Sequence, residues 1–191
     1  MEKKSDHYRI EEYTAETPLD LYIDDCVDVD QFLQYCKQCT NYNRVWSCPE
    51  FDFDPMEIWT SYKSLFILGR KVILDEELRL RVFSDEEREA FLKNLLLEPK
   101  MDLDRTLLEM EHATPGSMAL SGGSCLLCDP ESCAKAEGLP CRHPEAMRYS
   151  IEALGGNVGR TVTRHLGEEL LWMEKGRLPR YFIIVGGLLK N

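Results

Sequence analysis

The stretch SLFILGRKVIL, residues 64–74, marks the centre of the predicted fold. It is apolar and rich in β-forming residues, which is typical of a central strand. The stretch RYFIIVGGLL, residues 180–189, has the same character, and we expect the two to pair in one sheet. Two shorter segments with alternating apolar residues, HYRIEEYTA (7–15) and LDLYID (19–24), are predicted to be further strands.

Helices are predicted where capping residues precede apolar residues at helical spacing. Asp54, followed by Pro55, is expected to begin a short helix. Ser84 with Glu87 forms a capping-box pattern in front of an amphipathic helix, and Pro99 is predicted to end that helix. The chain therefore alternates strand-like and helix-like segments.

Three more helical stretches are expected in the C-terminal half, at residues 102–113, at 144–156 and from about 160 to 175. The last of these is predicted to turn one apolar face inward. That face consists of Val162, Leu166, Leu170 and Met173. Together these elements predict an α+β fold, in which a small sheet packs with helices and two irregular cysteine-rich loops connect the regular elements.

Composition favours one globular domain over residues 1–191, with 43% hydrophobic and 30% charged residues. The formal net charge of -11 argues against nucleic acid as a partner, because nucleic-acid binding depends on clustered Lys and Arg. No apolar run approaches the ~20 residues that span a bilayer, and the N-terminal residues lack the apolar core of a secretory signal. We therefore expect a cytoplasmic protein that does not contact membrane.

Eight cysteines are the strongest functional signal in the sequence. Disulfides do not persist in a reducing cytosol, so grouped cysteines there are more often metal ligands or catalytic thiols. Seven of the eight fall into two groups. The first group is Cys36, Cys39 and Cys48, and the second group is Cys125, Cys128, Cys133 and Cys141. The isolated Cys26 is predicted to be a small buried hydrophobic residue and not a ligand.

The spacing within the groups fits two kinds of metal centre. Each group contains one Cys-x2-Cys turn, which brings two sulfurs to one side of a tight loop. Zinc sites with four thiolates usually use two such turns. An iron–sulfur cubane is larger than a single ion, so its four ligand positions lie further apart. Pro49 after Cys48 is similar to the Cys-Pro ending of bacterial ferredoxin motifs. We favour an iron–sulfur cluster of the 4Fe-4S type and keep zinc as the alternative.

Two signatures carry a resemblance to a known family. They are C-x2-C-x2-Y-x3-WSCP at residues 36–49 and GGSC-x2-C-x4-C-x7-CR-x-P at residues 122–144. In content and order they resemble a family described as predicted metal-binding proteins, for which no reaction is established. The resemblance covers roughly residues 20–190 and implies that all seven cysteines of the two groups bind metal.

The expected function is a redox or electron-transfer role with a redox protein as partner. A zinc-stapled structural or interaction module is the alternative. Because the first group has three cysteines, an enzyme with an open iron position is a third hypothesis. The sequence identifies no catalytic residue and does not predict the oligomeric state.

Aromatic and histidine residues beside the cysteines have two interpretations each. Trp46 and Tyr42 either shield a cluster from water or belong to the core. His143 either binds metal or lies at the surface at the start of a helix, and we favour the surface.

Overall fold

The computed structural model describes residues 7–128, 132–173 and 176–191. Within these residues the strands form one antiparallel sheet in the order β1-β2-β4-β3. The strands are β1 (Tyr8–Pro18), β2 (Ser64–Leu74), β3 (Met118–Leu120) and β4 (Tyr181–Lys190).

The central strand has the limits that the sequence predicts. β2 pairs along its whole length with β1, from Tyr8 opposite Leu74 to Pro18 opposite Ser64. On its other side it pairs with β4, and Leu65 lies opposite Leu189. The predictions of a central strand at 64–74 and of its pairing with the C-terminal strand are therefore confirmed.

Helices and short helical turns connect the strands. The described helices are α1 (Leu19–Cys26), α2 (Val29–Cys36), α3 (Pro55–Thr60), α4 (Glu76–Leu80), α5 (Asp85–Ala113) and α6 (Val158–Thr161), with a 3-10 turn at Ala134–Glu137 and a π-type turn at Val162–Leu166. Within the described part of the chain, no helix combines the length and apolar character needed to cross a membrane.

The sheet is covered on both faces at its centre, which follows from the alternation of side chains along β2. Leu65 and Ile67 face a core cluster built with α1, α3 and the π-type turn. Leu68, which points to the other face, packs with Leu103 and Leu107 of α5. The α+β prediction is confirmed by this arrangement of sheet and helices.

The longest helix corrects one prediction. α5 begins at the predicted capping box, where Ser84 and Glu87 each bond the other's backbone. Pro99, however, does not end it, and the helix continues to Ala113. Leu95 and Leu103, on either side of the proline, are both buried. Their burial against the core offsets the roughly 3 kcal/mol that proline costs inside a helix.

The segment LDLYID is helical and not a strand as predicted. Leu19, Tyr22 and Cys26 of α1 are buried, whereas Leu21 is 60% exposed. A spacing of three and four residues places the buried side chains on one side of a helix. Over only six residues the helical and strand periods are difficult to tell apart, which explains the error.

The predictions of two helices near the C terminus are also wrong: one helix is absent and the other is shorter than expected. Residues 144–156 form turns and isolated bridges, not a helix. The helix expected from about 160 to 175 is limited to α6 and the π-type turn, and it ends at Gly167 with φ of 69°. Met173, predicted to face inward, is 46% exposed. Glycine adopts this left-handed conformation readily and so ends the helical path early.

Candidate metal centre

The first cysteine group lies at the end of α2 and in the turns that follow it. Cys36 is the last residue of α2, and its carbonyl accepts a hydrogen bond of 2.9 Å from the backbone N–H of Cys39. Further along, the N–H of Cys48 donates to the carbonyl of Val45 at 2.9 Å. These local bonds satisfy the backbone in a segment without regular structure.

The second cysteine group lies in the irregular segment between β3 and α6. All four of its cysteines line one small cavity of ≈ 20 Å³, together with Trp46 and His143. Cys133 is buried and immediately precedes the 3-10 turn. The cavity that these four cysteines line therefore also has Trp46, a residue of the first cysteine-bearing loop, in its wall.

Within the described residues, three of the thiols accept a hydrogen bond from the backbone N–H two residues further along. The donor and acceptor pairs are Asn41 to Cys39 (3.5 Å), Leu127 to Cys125 (3.5 Å) and His143 to Cys141 (3.4 Å). N–H groups aimed at sulfur stabilise negative charge there, and in metal–thiolate centres they tune the electronic properties of the metal.

Direct hydrogen bonds join the two cysteine-bearing loops. The backbone N–H of Cys125 donates to the hydroxyl of Ser47 at 2.9 Å, and Ser47 is fully buried. The side chain of Asn41 donates to the hydroxyl of Ser124 at 3.3 Å. The two loops are thus in direct contact, a feature that their separate spacings in the sequence do not reveal.

Trp46 bridges the loops as well. Its indole N–H donates to the carbonyl of Leu139 at 3.0 Å, and the ammonium of Lys135 lies 5.5 Å from its ring centroid. The ring is therefore part of the cavity wall of the second group and not part of the main core. This placement is compatible with shielding of a cluster, which stays a prediction.

Two lysines approach the site and compensate negative charge. The ammonium of Lys100 donates to the carbonyl of Ser124. The ammonium of Lys135 donates to the carbonyls of Cys48 and Glu50, both at 3.0 Å. Burial lowers the pKa of both lysines, while neighbouring thiolates act in the opposite direction. Cations in this position favour a site whose centre carries negative charge.

Sequence reasoning missed Lys100, although a signal was present. Lys100 occupies a position in the apolar stripe of α5, between Leu96 and Leu103, where a charged residue is unexpected. Among the charges that raise its pKa, Asp104 has the largest effect, and Cys125 and Cys48, one from each group, also contribute. A lysine inside an apolar stripe therefore indicated a buried anionic partner.

The thiols are poor acids in this environment without a cation. Burial raises the pKa of Cys36 and Cys125, and it raises the pKa of Cys48 to about 11. For Cys48, negative charge on Cys39 and Cys36 acts in the same direction. A bound metal removes the cost of deprotonating a buried thiol, because the metal ion takes the place of the thiol proton.

The donor chemistry fits a thiophilic metal. Thiolate sulfur is the ligand that zinc–thiolate and iron–sulfur centres use, and N–H···S bonds tune such centres. Among the residues that the structure describes, no three or more His, Cys, Asp or Glu side chains are grouped closely enough to hold a single metal ion. Metal binding by the seven cysteines of the two groups therefore stays a prediction from the sequence.

Cys26 lies apart from the site in its chemical surroundings. It is 1% exposed and belongs to the core cluster that contains Tyr22 and Trp59. Its sulfur lies 3.9 Å from Nε2 of His165. Burial raises the pKa of this thiol, and the charged groups that act on it are Asp25 and two arginines rather than other cysteines. The prediction that Cys26 is not a ligand is compatible with this placement.

His143 lies at the cavity wall of the second group and is only partly buried. The helix that was expected to begin beside it is not formed. Its backbone N–H donates to the sulfur of Cys141 at 3.4 Å.

A larger apolar cavity adjoins the second group. It has a volume of ≈ 260 Å³ and lies between α5, β3 and the Cys-x2-Cys turn, with Cys125 in its wall. Leu127 and Met101 at this cavity are 47% and 53% exposed. Cys125 of the second group therefore lies beside an apolar opening.

Fold and site together define an α+β protein with a cysteine-rich site suited to metal. A family model described as predicted metal-binding protein (DUF2284) matches residues 21–189. The chain belongs to this family, which confirms the resemblance carried by the two cysteine signatures. Comparison with curated proteins gave no match, and neither did comparison with solved structures.

Proposed function

We propose that this protein is an iron–sulfur protein that holds its clusters, of the 4Fe-4S type, in the two cysteine groups and passes electrons to a redox protein partner. Membership of a predicted metal-binding family supports the metal itself. The choice of iron–sulfur over zinc and the redox role are the steps that the proposal adds.

The observation that carries the proposal is the arrangement of the second group. Four cysteines from a single irregular segment line one small cavity, and backbone N–H groups bond the sulfurs of Cys125 and Cys141. Hydrogen bonds to sulfur and partial exclusion of water are the means by which proteins set iron–sulfur potentials. Four thiolates match the ligand requirement of one cubane cluster.

The surface around the site supports an electron-transfer partner. Cys39 of the first group is exposed, and the apolar opening beside Cys125 includes the exposed Leu127. Exposed apolar residues next to a redox centre suit a surface that another protein covers transiently.

Zinc is the second candidate, and the joining of the loops favours it. The bonds from Cys125 to Ser47 and from Asn41 to Ser124 show two irregular loops held as one unit. A metal that closes such loops has a structural role without any electron transfer.

The deciding experiment is anaerobic purification from cells supplied with iron and sulfur, followed by analysis of iron, zinc and acid-labile sulfide. We expect brown protein that contains iron and sulfide in similar amounts and shows an electron paramagnetic resonance signal after reduction. Stoichiometric zinc with negligible iron and sulfide would refute the iron–sulfur proposal and favour the structural module.

The matched control is Cys26→Ala, because Cys26 lies in the core cluster and not in either group. The variant is expected to keep its iron, its sulfide and its resonance signal. Loss of one cluster in a folded Cys26→Ala protein would make Cys26 a ligand and contradict the assignment of the first group.

A further inference from the structure

The apolar cavity of ≈ 260 Å³ beside Cys125 is a pocket and not a flat apolar surface. Its wall includes Leu107 and Ala119, which are 0% and 2% exposed, and also Met101 and Leu127, which are 53% and 47% exposed. The cavity therefore leads from exposed side chains to fully buried ones. Such a space admits a small molecule from solvent and encloses most of its surface.

The volume of the cavity limits the size of an occupant. An engineered apolar cavity of about 150 Å³ in another protein binds benzene. By that proportion, a cavity of ≈ 260 Å³ accommodates a molecule of roughly ten non-hydrogen atoms. Leucine, alanine and methionine side chains make up most of its wall, and they favour an apolar body.

The two arginines at the cavity already have acidic partners. The polar side chains in the wall are Asp104, Arg105, Ser121 and Arg148. The guanidinium of Arg148 donates to Glu111 at 2.7 Å, and both side chains are mostly buried. Arg105, which is exposed, forms ion pairs with Asp102 and Glu109. These arginines therefore do not favour an anionic ligand.

Asp104 is the lining residue with hydrogen-bonding capacity to spare. Ser121 donates its hydroxyl proton to the carbonyl of Gly123 at 2.9 Å. Oδ1 of Asp104 accepts from the N–H of Gly122 at 2.7 Å, whereas the described residues supply no hydrogen bond to Oδ2. That oxygen is not among the fully buried atoms without a partner, so it is accessible at the cavity that Asp104 lines. Oδ2 is therefore free to accept a hydrogen bond from a ligand.

The negative charge of Asp104 is balanced within the protein. Lys100 precedes Asp104 by four residues on α5, so the two side chains lie on the same side of the helix. Burial raises the pKa of Asp104, while the bond from Gly122 and the positive charges of Lys100 and Arg70 act in the opposite direction. A ligand therefore needs no positive charge of its own, and a neutral donor group is sufficient.

We propose that this cavity binds a small uncharged molecule with an apolar body and one hydrogen-bond donor, a hydroxyl or an N–H group, directed at Oδ2 of Asp104. The bound molecule lies against Cys125 and Leu126 of the second Cys-x2-Cys turn, which line the same cavity. This site goes beyond the proposed function and does not depend on which metal the chain holds.

The first test is calorimetric titration of the full chain, purified anaerobically, with indole and with benzofuran. The two molecules have nearly the same shape, but benzofuran has an ether oxygen in place of the N–H group of indole. We expect saturable indole binding with a Kd below about 1 mM. Benzofuran should bind about tenfold more weakly, which corresponds to ~1.4 kcal/mol for the missing hydrogen bond. No saturable binding of indole at millimolar concentration, or equal affinity for both molecules, would overturn the proposal.

The variant Asp104→Asn tests the role of the carboxylate. Its amide oxygen keeps the bond from Gly122, and its NH2 group takes the place of the free carboxylate oxygen at the cavity. Indole should therefore bind about tenfold more weakly than to the unaltered protein, and benzofuran should lose no affinity. Unchanged indole affinity in the folded variant would show that Asp104 does not accept the donor, and the proposal would be wrong.

The variant Ala146→Phe tests the location by filling the cavity, because Ala146 lies in its wall. The matched control is Leu97→Phe, which adds a ring to α5 at a residue that is 40% exposed and does not line the cavity. Circular dichroism checks that both variants fold. Indole binding should be lost in Ala146→Phe and kept in Leu97→Phe. Equal binding in both folded variants would place indole elsewhere and refute the site, and if Ala146→Phe does not fold, Asp104→Asn decides.

Discussion

Charged residues inside the sheet are held by specific partners. Arg70, in the middle of β2, has a side chain 8% exposed and donates to Asp102 at 2.7 Å and to Thr106 at 3.0 Å, both on α5. The next residue, Lys71, points to the opposite face and donates to Glu168 at 2.7 Å. Because side chains alternate along a strand, the adjacent Arg70 and Lys71 point to opposite faces of the sheet.

The Lys71–Glu168 pair leads to a prediction about pH. The hydrogen bond from Lys71 lowers the pKa of Glu168 in the folded protein. The carboxylate therefore stabilises the fold fully at pH values above about 4.3, the pKa of glutamate in an unfolded chain. This stabilisation is lost as the pH falls through the lowered pKa of the folded protein. Glu168→Gln should therefore cost about 1–2 kcal/mol of unfolding free energy at neutral pH and much less in acid. Urea unfolding at several pH values measures this.

The matched control for that prediction is Glu16→Gln. Glu16 pairs with Lys190 at 2.6 Å on the same sheet, but its side chain is 51% exposed. Exposed pairs contribute less than about 1 kcal/mol, so this variant should change stability little at any pH. An equal loss of unfolding free energy in both variants would show that burial does not make the Lys71–Glu168 pair more stabilising than the Lys190–Glu16 pair.

At the scale of elements, the capping signals were read correctly from sequence and the helix ends were not. Ser84 with Glu87 and Asp54 before Pro55 form caps as predicted, because a cap depends on residues within one turn. The continuation of α5 through Pro99 depends on how α5 packs on the sheet, which no local pattern contains.

The packing of α5 on β4 requires a glycine. A Cβ atom at Gly186 would lie 2.5 Å from Cδ1 of Leu107 and 2.6 Å from the carbonyl oxygen of Leu120. Because one obstacle is backbone, Gly186→Ala should lower the unfolding free energy by about 1–3 kcal/mol. Denaturant titration monitored by circular dichroism tests this expectation.

Gly69→Ala on β2 is the matched comparison. Its Cβ atom would lie 2.5 Å from Cδ1 of Leu166, a side-chain end that can move, and no backbone atom is among the nearest atoms. We expect Gly69→Ala to lower the unfolding free energy less than Gly186→Ala does. A larger loss of unfolding free energy for Gly69→Ala than for Gly186→Ala would contradict the view that Gly186 sets the distance between the sheet and α5.

At the scale of the whole molecule, the sheet and its helices form the stable part and the cysteine loops are attached to it. The core clusters are built mainly from the strands, α1, α3 and α5. The second group, by contrast, lies in a long segment held by single hydrogen bonds such as that from Cys125 to Ser47. Because such a segment has little apolar burial of its own, we expect its order to depend on bound metal.

Replacing a ligand should therefore loosen one part of the molecule and spare the rest. Cys125→Ser or Cys128→Ser is expected to lower the metal content and to make residues 121–150 sensitive to protease, while the sheet keeps its circular dichroism signal. Limited proteolysis with mass spectrometry locates the cuts. Unchanged metal content and an unchanged cleavage pattern would refute a structural role for the metal.

The sequence by itself determined the features that depend on neighbouring residues. These include the central strand at 64–74, the caps of α3 and α5, and the two cysteine groups with the family signatures. Each rests on side chains within one turn, one strand or one tight loop, where periodicity and spacing are sufficient.

Only the tertiary structure decided which distant residues share one environment. It made LDLYID a helix, brought the ammonium of Lys100 to the carbonyl of Ser124 and joined Cys125 to Ser47. The physical reason is that burial and electrostatic contact depend on the packing of the whole chain. Residues 78 positions apart, such as Ser47 and Cys125, are hydrogen-bonded because the sheet and its helices bring their loops to the same place.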